Sequence, residues 1–313
     1  MGEKDTDKVK IKNIIELGRF RFLAGGFLLY IMGSLLAVVS NVSFSIELFI
    51  FGYAIMFPAH LSLSYSNNFF DINVDKYNQP IGISGGSKSL IKHPELKDTC
   101  KNISITLMII SIIVTFAFMF IYSFSFLLLI FVVFGNLLGW FYSAPPIRMA
   151  YRGLGELANM INMGLLMPGI GYWVMKGVLD PFFFVFAIAL FIYGLVFMVI
   201  VETPDMEGDI KGKKQTLVVK IGRKTTYIIL LISMIITSIY FFFISLLELY
   251  SEYIDFTVVF AISLIPIIIA LIGLIYKPFT KKIATKVATV NMYSIISYLA
   301  LFNVYILYLI IYN

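Results

Sequence analysis

Nine uninterrupted apolar stretches govern what this chain can become. They lie near 20–42, 45–66, 103–122, 125–142, 155–178, 181–201, 226–247, 255–276 and 288–311. Each has roughly 18–24 residues, the length a helix needs to cross ~30 Å of hydrocarbon. Isoleucine, phenylalanine and leucine fill them without the short alternating pattern of a barrel strand. A helix also satisfies its own backbone in lipid, which a lone strand does not. The expected fold is therefore all-α, a polytopic membrane protein with nine transmembrane helices in a bundle. Composition agrees: 60% of the residues are hydrophobic and 13% charged, about half the usual charged share. That excludes an ordinary soluble enzyme. The single cysteine, Cys100, excludes an internal disulfide and any CxxC metal site. Ahead of the first stretch, residues 1–18 are charged and place apolar side chains at Val9, Ile11, Ile14, Ile15 and Leu17. This segment reads as an amphipathic helix lying on the membrane surface, with 19–313 as the transmembrane domain. No small-residue cleavage pattern precedes the second stretch, so the first is not a cleavable signal.

Charge in the loops sets the expected orientation. When the loops are assigned alternately to two sides, 23 of the 24 lysines and arginines fall on one side, and Lys176 is the exception. Positive loops stay inside. The N-terminus and the long loops 67–102 and 202–225 are thus expected on the cytoplasmic face of the cell membrane. The net charge of +6 is a topology signal rather than a nucleic-acid footprint, and no nucleic-acid partner is expected.

The two long loops carry the most unusual polar clusters. One is Asn67-Asn68-Phe69-Phe70-Asp71-Ile72-Asn73-Val74-Asp75, and the other is Pro204-Asp205-Met206-Glu207-Gly208-Asp209. Asn67, Asp71 and Asp75 recur every fourth residue, as do Asp205 and Asp209. On helices that continue past the membrane edge, each set shares a face. Like charges at that spacing repel, and a cation between them removes the penalty. Oxygen ligands suit Mg²⁺, which commonly joins one or two carboxylates to substrate phosphates. Each cluster follows an even-numbered span, four spans apart, as in a duplicated four-helix unit with a ninth span added. Solvated acids at helix ends are the plainer alternative for either cluster alone. Four aspartates and a diphosphate exceed the charge of two Mg²⁺, so basic groups must complete such a site. Arg148, Lys211, Lys213 and Lys214 lie in loops of the same side, where an arginine fork or a lysine point charge can grip phosphate.

At this point the chain resembles the UbiA superfamily of intramembrane prenyltransferases. The family's first motif, N-D-x-x-D-x-x-x-D, is matched by Asn67, Asp71 and Asp75, while Asn68 stands where the first aspartate is usual. Its second motif, D-x-x-x-D followed by a basic residue and Thr-Leu, is matched by Asp205, Asp209, Lys214, Thr216 and Leu217. Tyr142-Ser143-Ala144-Pro145-Pro146-Ile147-Arg148 fits a third, Tyr-Ser-x-Pro-Pro-x-Arg. The Arg-Pro pair common at the start of the first helix is missing, since Phe22 follows Arg21. The likeness spans roughly 15–310.

The resemblance implies an Mg²⁺-dependent enzyme that moves a polyprenyl group from an allylic prenyl diphosphate to an acceptor. In that reading Asp71, Asp75, Asp205 and Asp209 hold Mg²⁺ as the catalytic acids, with Asn67 as a neutral ligand or a donor to phosphate. Tyr142, Arg148, Lys211 and Lys214 bind the diphosphate. His60, Ser64, Asn67 and Asp71 form one stripe along the second span, a cavity wall or else a line of interhelical hydrogen bonds. Glu156, Asn159 and Asn162 open the fifth span; Glu156 either meets the acceptor or pairs with Arg152. Gly82-Ile83-Ser84-Gly85-Gly86-Ser87 reads as a flexible lid or a phosphate nest, without a P-loop pattern. The acceptor is expected to be lipophilic or aromatic. Tyr151-Arg152-Gly153-Leu154-Gly155-Glu156 resembles the branch that prenylates dihydroxynaphthoate for quinone synthesis, and the alternative acceptor is geranylgeranylglyceryl phosphate of archaeal ether lipids. A non-enzymatic carrier or ion pathway is the alternative of another class.

Overall fold

The computed structural model describes residues 3–77 and 88–312. The Gly82–Ser87 segment expected as a lid or nest falls outside them. Among the described residues there is no strand. The helices are α1 (Glu3–Leu17), α2 (Leu23–Val39), α3 (Ile46–Asp75), α4 (Ser89–Lys92), α5 (Lys97–Tyr122), α6 (Leu127–Ser143), α7 (Gly155–Ile161), α8 (Met167–Lys176), α9 (Pro181–Glu202), α10 (Met206–Lys211), α11 (Leu217–Leu246), α12 (Phe256–Ile275) and α13 (Lys281–Tyr312). Their starts follow from local chemistry. The side chains of Ser45, Asp180 and Asp255 accept from the backbone N–H groups of Leu48, Phe183 and Thr257, and Pro181 occupies the first turn of α9.

Six helical segments are long and apolar enough to cross a membrane: those containing α3, α5, α9, α11, α12 and α13. α2 and α6 are apolar but shorter. The fifth apolar stretch is broken: α7 passes through a π-helical turn, Asn162–Leu166, into α8. Many outward-facing side chains are Ile, Phe and Leu, including Ile113, Phe120, Ile236, Ile268 and Ile275. Lipid is their natural solvent. Inside, hydroxyls and amides join the helices. Ser111 donates to the Ile55 carbonyl at 2.9 Å, Ser104 to that of Ser62 at 2.9 Å, and the Ser238 and Ser263 hydroxyls meet at 2.6 Å.

The packing repeats. α3 packs on α5 and α5 on α6; in the second half α9 packs on α11 and α11 on α12. The first helices of the halves, α2 and α8, pack against each other, and α13 closes the bundle against α2, α9 and α12. At the α2–α8 crossing a Cβ on Gly33 would overlap the Pro168 carbonyl, so only glycine permits this approach. The aromatic core sits where α9 meets α13: Tyr193 and Tyr298 stack with centroids 4.9 Å apart, and Phe186 contacts Phe302. α1 does not float free. Tyr65 of α3 donates its hydroxyl to the Ile14 carbonyl at 3.0 Å, and Leu17 is fully buried.

α3 runs well past the apolar stretch that predicts it, to Asp75. This extension carries the first acidic cluster. The second is not on one continuous helix face: Asp205 ends a 3-10 turn, Thr203–Asp205, and Asp209 lies in α10. Pro204 explains the difference, since a proline cannot continue the hydrogen-bond ladder of α9.

Candidate active site

A cavity of about 400 Å³ opens between the two halves. Asn67, Asp71 and Asp75 line it from α3; Asp205 and Asp209 line it from the opposite half. The clusters expected to cooperate therefore face one space. Asp71, Asp75 and Asp209 are buried, and a buried carboxylate requires partners.

Asp71 has three. Lys214 Nζ lies 2.8 Å from its Oδ2, Ser143 Oγ donates to the same oxygen at 3.1 Å, and Tyr151 OH donates to Oδ1 at 2.7 Å. The same hydroxyl proton is shared with Asn67 Oδ1, 3.2 Å away. Burial opposes the charge on Lys214, but Asp71 and Asp209 outweigh it and hold the ammonium pKa well above its ordinary value. Burial, reinforced by Asp71, pushes the Tyr151 hydroxyl up as well, so it stays a proton donor. Lys214 is placed by its own backbone, whose N–H donates to the Asp209 carbonyl at 2.9 Å.

The second cluster is braced from α11. Arg223 Nη1 and Nη2 each lie 2.6 Å from a Glu207 oxygen, and Arg223 Nε donates to the Thr203 carbonyl at 2.9 Å. This fork fixes the turn that presents Asp205 and Asp209. Gly222, at φ 77 and ψ 160, makes the kink that aims Arg223, a conformation closed to other residues.

The other expected residues divide. Tyr142, His60, Ser64 and Asn159 line the cavity, and Asn159 is oriented by donating to the Gly194 carbonyl at 2.9 Å. The π turn places Asn162 and Met163 on the same wall; such turns often mark functional sites. Lys211 is exposed and off the wall. Arg148, at φ 48 after a cis Pro145–Pro146 bond, stacks its guanidinium 3.8 Å from the Tyr151 ring centroid and also lies off the wall. Glu156 is not on the cavity wall and does not pair with Arg152. Its carboxylate accepts from the Leu217 N–H at the start of α11, while Arg152 donates to the Pro146 carbonyl.

Three further residues meet this space or its acids. Tyr151 was visible only as part of a motif. Arg19 lines the mouth, although in the linear sequence it is one more topological charge. Glu202 lies on the wall, buried, beside the Glu156 carboxylate and under like charge from Glu156 and Asp209; a shared proton or a cation relieves such a pair. Its signal was an acid three residues before Asp205.

Among the described residues, no three His, Cys, Asp or Glu side chains converge to hold a metal unaided. That does not argue against Mg²⁺, which takes one or two carboxylates and completes its shell with phosphate and water. The buried hard-oxygen donors on both walls fit it.

The UbiA prenyltransferase family matches residues 27–295. The chain belongs to that family. Solved structures agree with it in fold. A UbiA homologue from Archaeoglobus fulgidus bound to GPP and Mg²⁺ has a TM-score of 0.62 at 17% identity, covering 91% of this chain and 96% of that one. A digeranylgeranylglyceryl phosphate synthase gives 0.63 at 19%, covering 96% and 99%. A UbiA homologue from Aeropyrum pernix K1 gives 0.61 at 13%, covering 87% and 97%. No curated protein sequence matches. Family membership and the apolar helices together make this a multi-pass membrane protein with a prenyltransferase fold.

Lys214→Met is expected to raise the KM for a prenyl diphosphate about ten- to a hundredfold, the worth of a hydrogen bond to a charged group. The native ammonium stays charged at high pH, so the rise does not fade as pH climbs to about 9. An unchanged KM, measured in steady-state assays up to that pH, would remove Lys214 from the site.

Proposed function

We propose that this protein is an Mg²⁺-dependent prenyltransferase that moves a polyprenyl group from an allylic prenyl diphosphate to an aromatic acceptor. One observation carries the reading. A single cavity has both acidic clusters, Arg19 and Lys214 at its polar end, and Leu29, Met163, Met167, Phe197, Ile295 and Leu299 along the rest of its wall. The polar end suits a diphosphate and the apolar wall suits its tail.

Asp71, Asp75 and Asn67 would hold Mg²⁺ on one side, and Asp205 and Asp209 on the other. Bound there, Mg²⁺ supplies Lewis-acid stabilisation of the departing diphosphate. The chain's own groups do the rest. Lys214 adds fixed positive charge beside the leaving group, and Asp71 keeps that lysine charged and in place. Tyr151 and Ser143 hold the Asp71 carboxylate in one orientation. The C–O bond to the diphosphate breaks, the apolar wall keeps water from the allylic cation, and the acceptor carbon bonds to it and gives up its proton to the departed diphosphate.

The acceptor side is read from charge. Among the described residues lining the cavity the cations are Arg19 and Lys214, and both face the acidic end. The remaining polar groups, among them His60, Ser64, Tyr142, Asn159, Asn162 and the acid Glu202, add no further lysine or arginine. They suit the hydroxyls of a dihydroxynaphthoate-type aromatic better than a second phosphate. The likeness to a digeranylgeranylglyceryl phosphate synthase favours a glyceryl phosphate acceptor as the second reading. Purified full-length protein given a labelled prenyl diphosphate, Mg²⁺ and both acceptor classes is expected to prenylate the aromatic one. Product with the glyceryl phosphate alone supports the second reading, and no product with any acceptor defeats both.

The nine apolar stretches are read as nine spans, with α7, the π turn and α8 forming one broken span, and with the site on the cytoplasmic face of the cell membrane. The one-sided loop charge supports this. Native Cys100 is buried, so introduced cysteines report orientation cleanly. An impermeant thiol reagent applied to intact cells is expected to label Val178→Cys and to spare Lys211→Cys until the membrane is opened. Labelling in the reverse order would invert the topology.

A further inference from the structure

The corner between α1 and α2 puts a guanidinium at the mouth of the cavity, and Asn68 holds it there. Arg19 takes a left-handed conformation, φ 48, which non-glycine residues adopt sparingly. The corner is pinned from α3: the Asn68 amide donates to the Leu17 carbonyl at 2.8 Å and to the Ser64 carbonyl at 2.8 Å. Arg19 Nη2 in turn donates to Asn68 Oδ1 at 3.0 Å and lies 3.6 Å from Asp75 Oδ2. Its Nε is buried without a hydrogen-bond partner. Asn68 itself is buried and does not line the cavity, whereas Arg19 does.

The residue type at 68 matters for two reasons. A carboxylate there has no N–H to give the Leu17 and Ser64 carbonyls, so the corner loses its anchor. A carboxylate would also pair with Arg19 and cancel its charge. The neutral carboxamide orients the guanidinium and leaves most of its charge for an anion, since Asp75 is the one carboxylate shown in contact with it. The departure from the usual acidic motif is thus coupled to a cation presented by the N-terminal segment.

We propose that Arg19 is a diphosphate-binding residue of this chain, positioned by Asn68, so that its guanidinium adds a fixed positive charge beside the acidic clusters. The proposal rests on reading the cavity mouth as a diphosphate site, and it makes the corner after α1 part of that site.

Calorimetric titration of the detergent-solubilised full chain with inorganic pyrophosphate in Mg²⁺ tests it. Arg19→Gln is expected to weaken pyrophosphate binding about tenfold or more, while affinity for Mg²⁺ alone is not lowered. Asn68→Asp is expected to weaken it too. The double variant should be no weaker than Arg19→Gln, because the two residues act as one unit. The ratio of the two affinities on one sample is insensitive to a misfolded fraction, so it remains decisive if a variant is unstable. A wild-type ratio in Arg19→Gln, or strictly additive losses in the double variant, overturns the proposal. Absence of pyrophosphate binding by the wild type would instead overturn the diphosphate site on which it rests.

Discussion

The carboxylate of Asp71 is the interaction on which the rest of the site depends. It is buried near the end of α3, where an unpaired charge is costly. Its three donors come from three later segments: Ser143 at the end of α6, Tyr151 in the following turn, and Lys214 just before α11. Satisfying one charge therefore draws both halves of the bundle to a common point. Lys214 in turn is largely withdrawn from solvent, and Asp71 and Asp209 hold it as an ammonium. The first cluster, the Pro-Pro turn and the second cluster are thus one electrostatic unit.

Around that unit the fold separates rigidity from openness. The α2–α8 crossing, tight at Gly33, and the stacked tyrosines of α9 and α13 make a firm frame. The clamp of Arg223 on Glu207 and Thr203 carries firmness to the turn bearing Asp205 and Asp209. Between the halves the packing is left incomplete, and the space is acidic at one end and apolar along the rest. Glu202 is buried on that wall beside Glu156, two acids that a shared proton or a cation must keep compatible.

Much of this was legible in the sequence. Long apolar runs force helices because lipid offers the backbone no partners. The i, i+4 spacing from Asn67 to Asp75 is realised on α3. The matched positions of the two clusters foretell that they share a space. What was not legible depended on tertiary geometry. Pro204 breaks the helix through the second cluster, yet Asp205 and Asp209 still reach the cavity from a turn. Glu156 was read against its neighbours in sequence, but its partner is the N–H of Leu217, sixty-one positions on. Lys211 and Lys214 are indistinguishable by composition, and the turn after α10 sends one to solvent and the other to Asp71. Arg19 looked like surface charge because nothing in a linear reading connects it to Asn68.

The central claim is that the two acidic clusters act on one diphosphate. The most direct measurement is the initial rate of Mg²⁺-dependent prenyl transfer by Asp71→Asn, Asp209→Asn and the double variant. The account predicts that each single substitution removes most of the activity, by about a hundredfold or more, and that the double variant is little worse than either. Wild-type rates in either single variant, or losses that simply multiply, would contradict it.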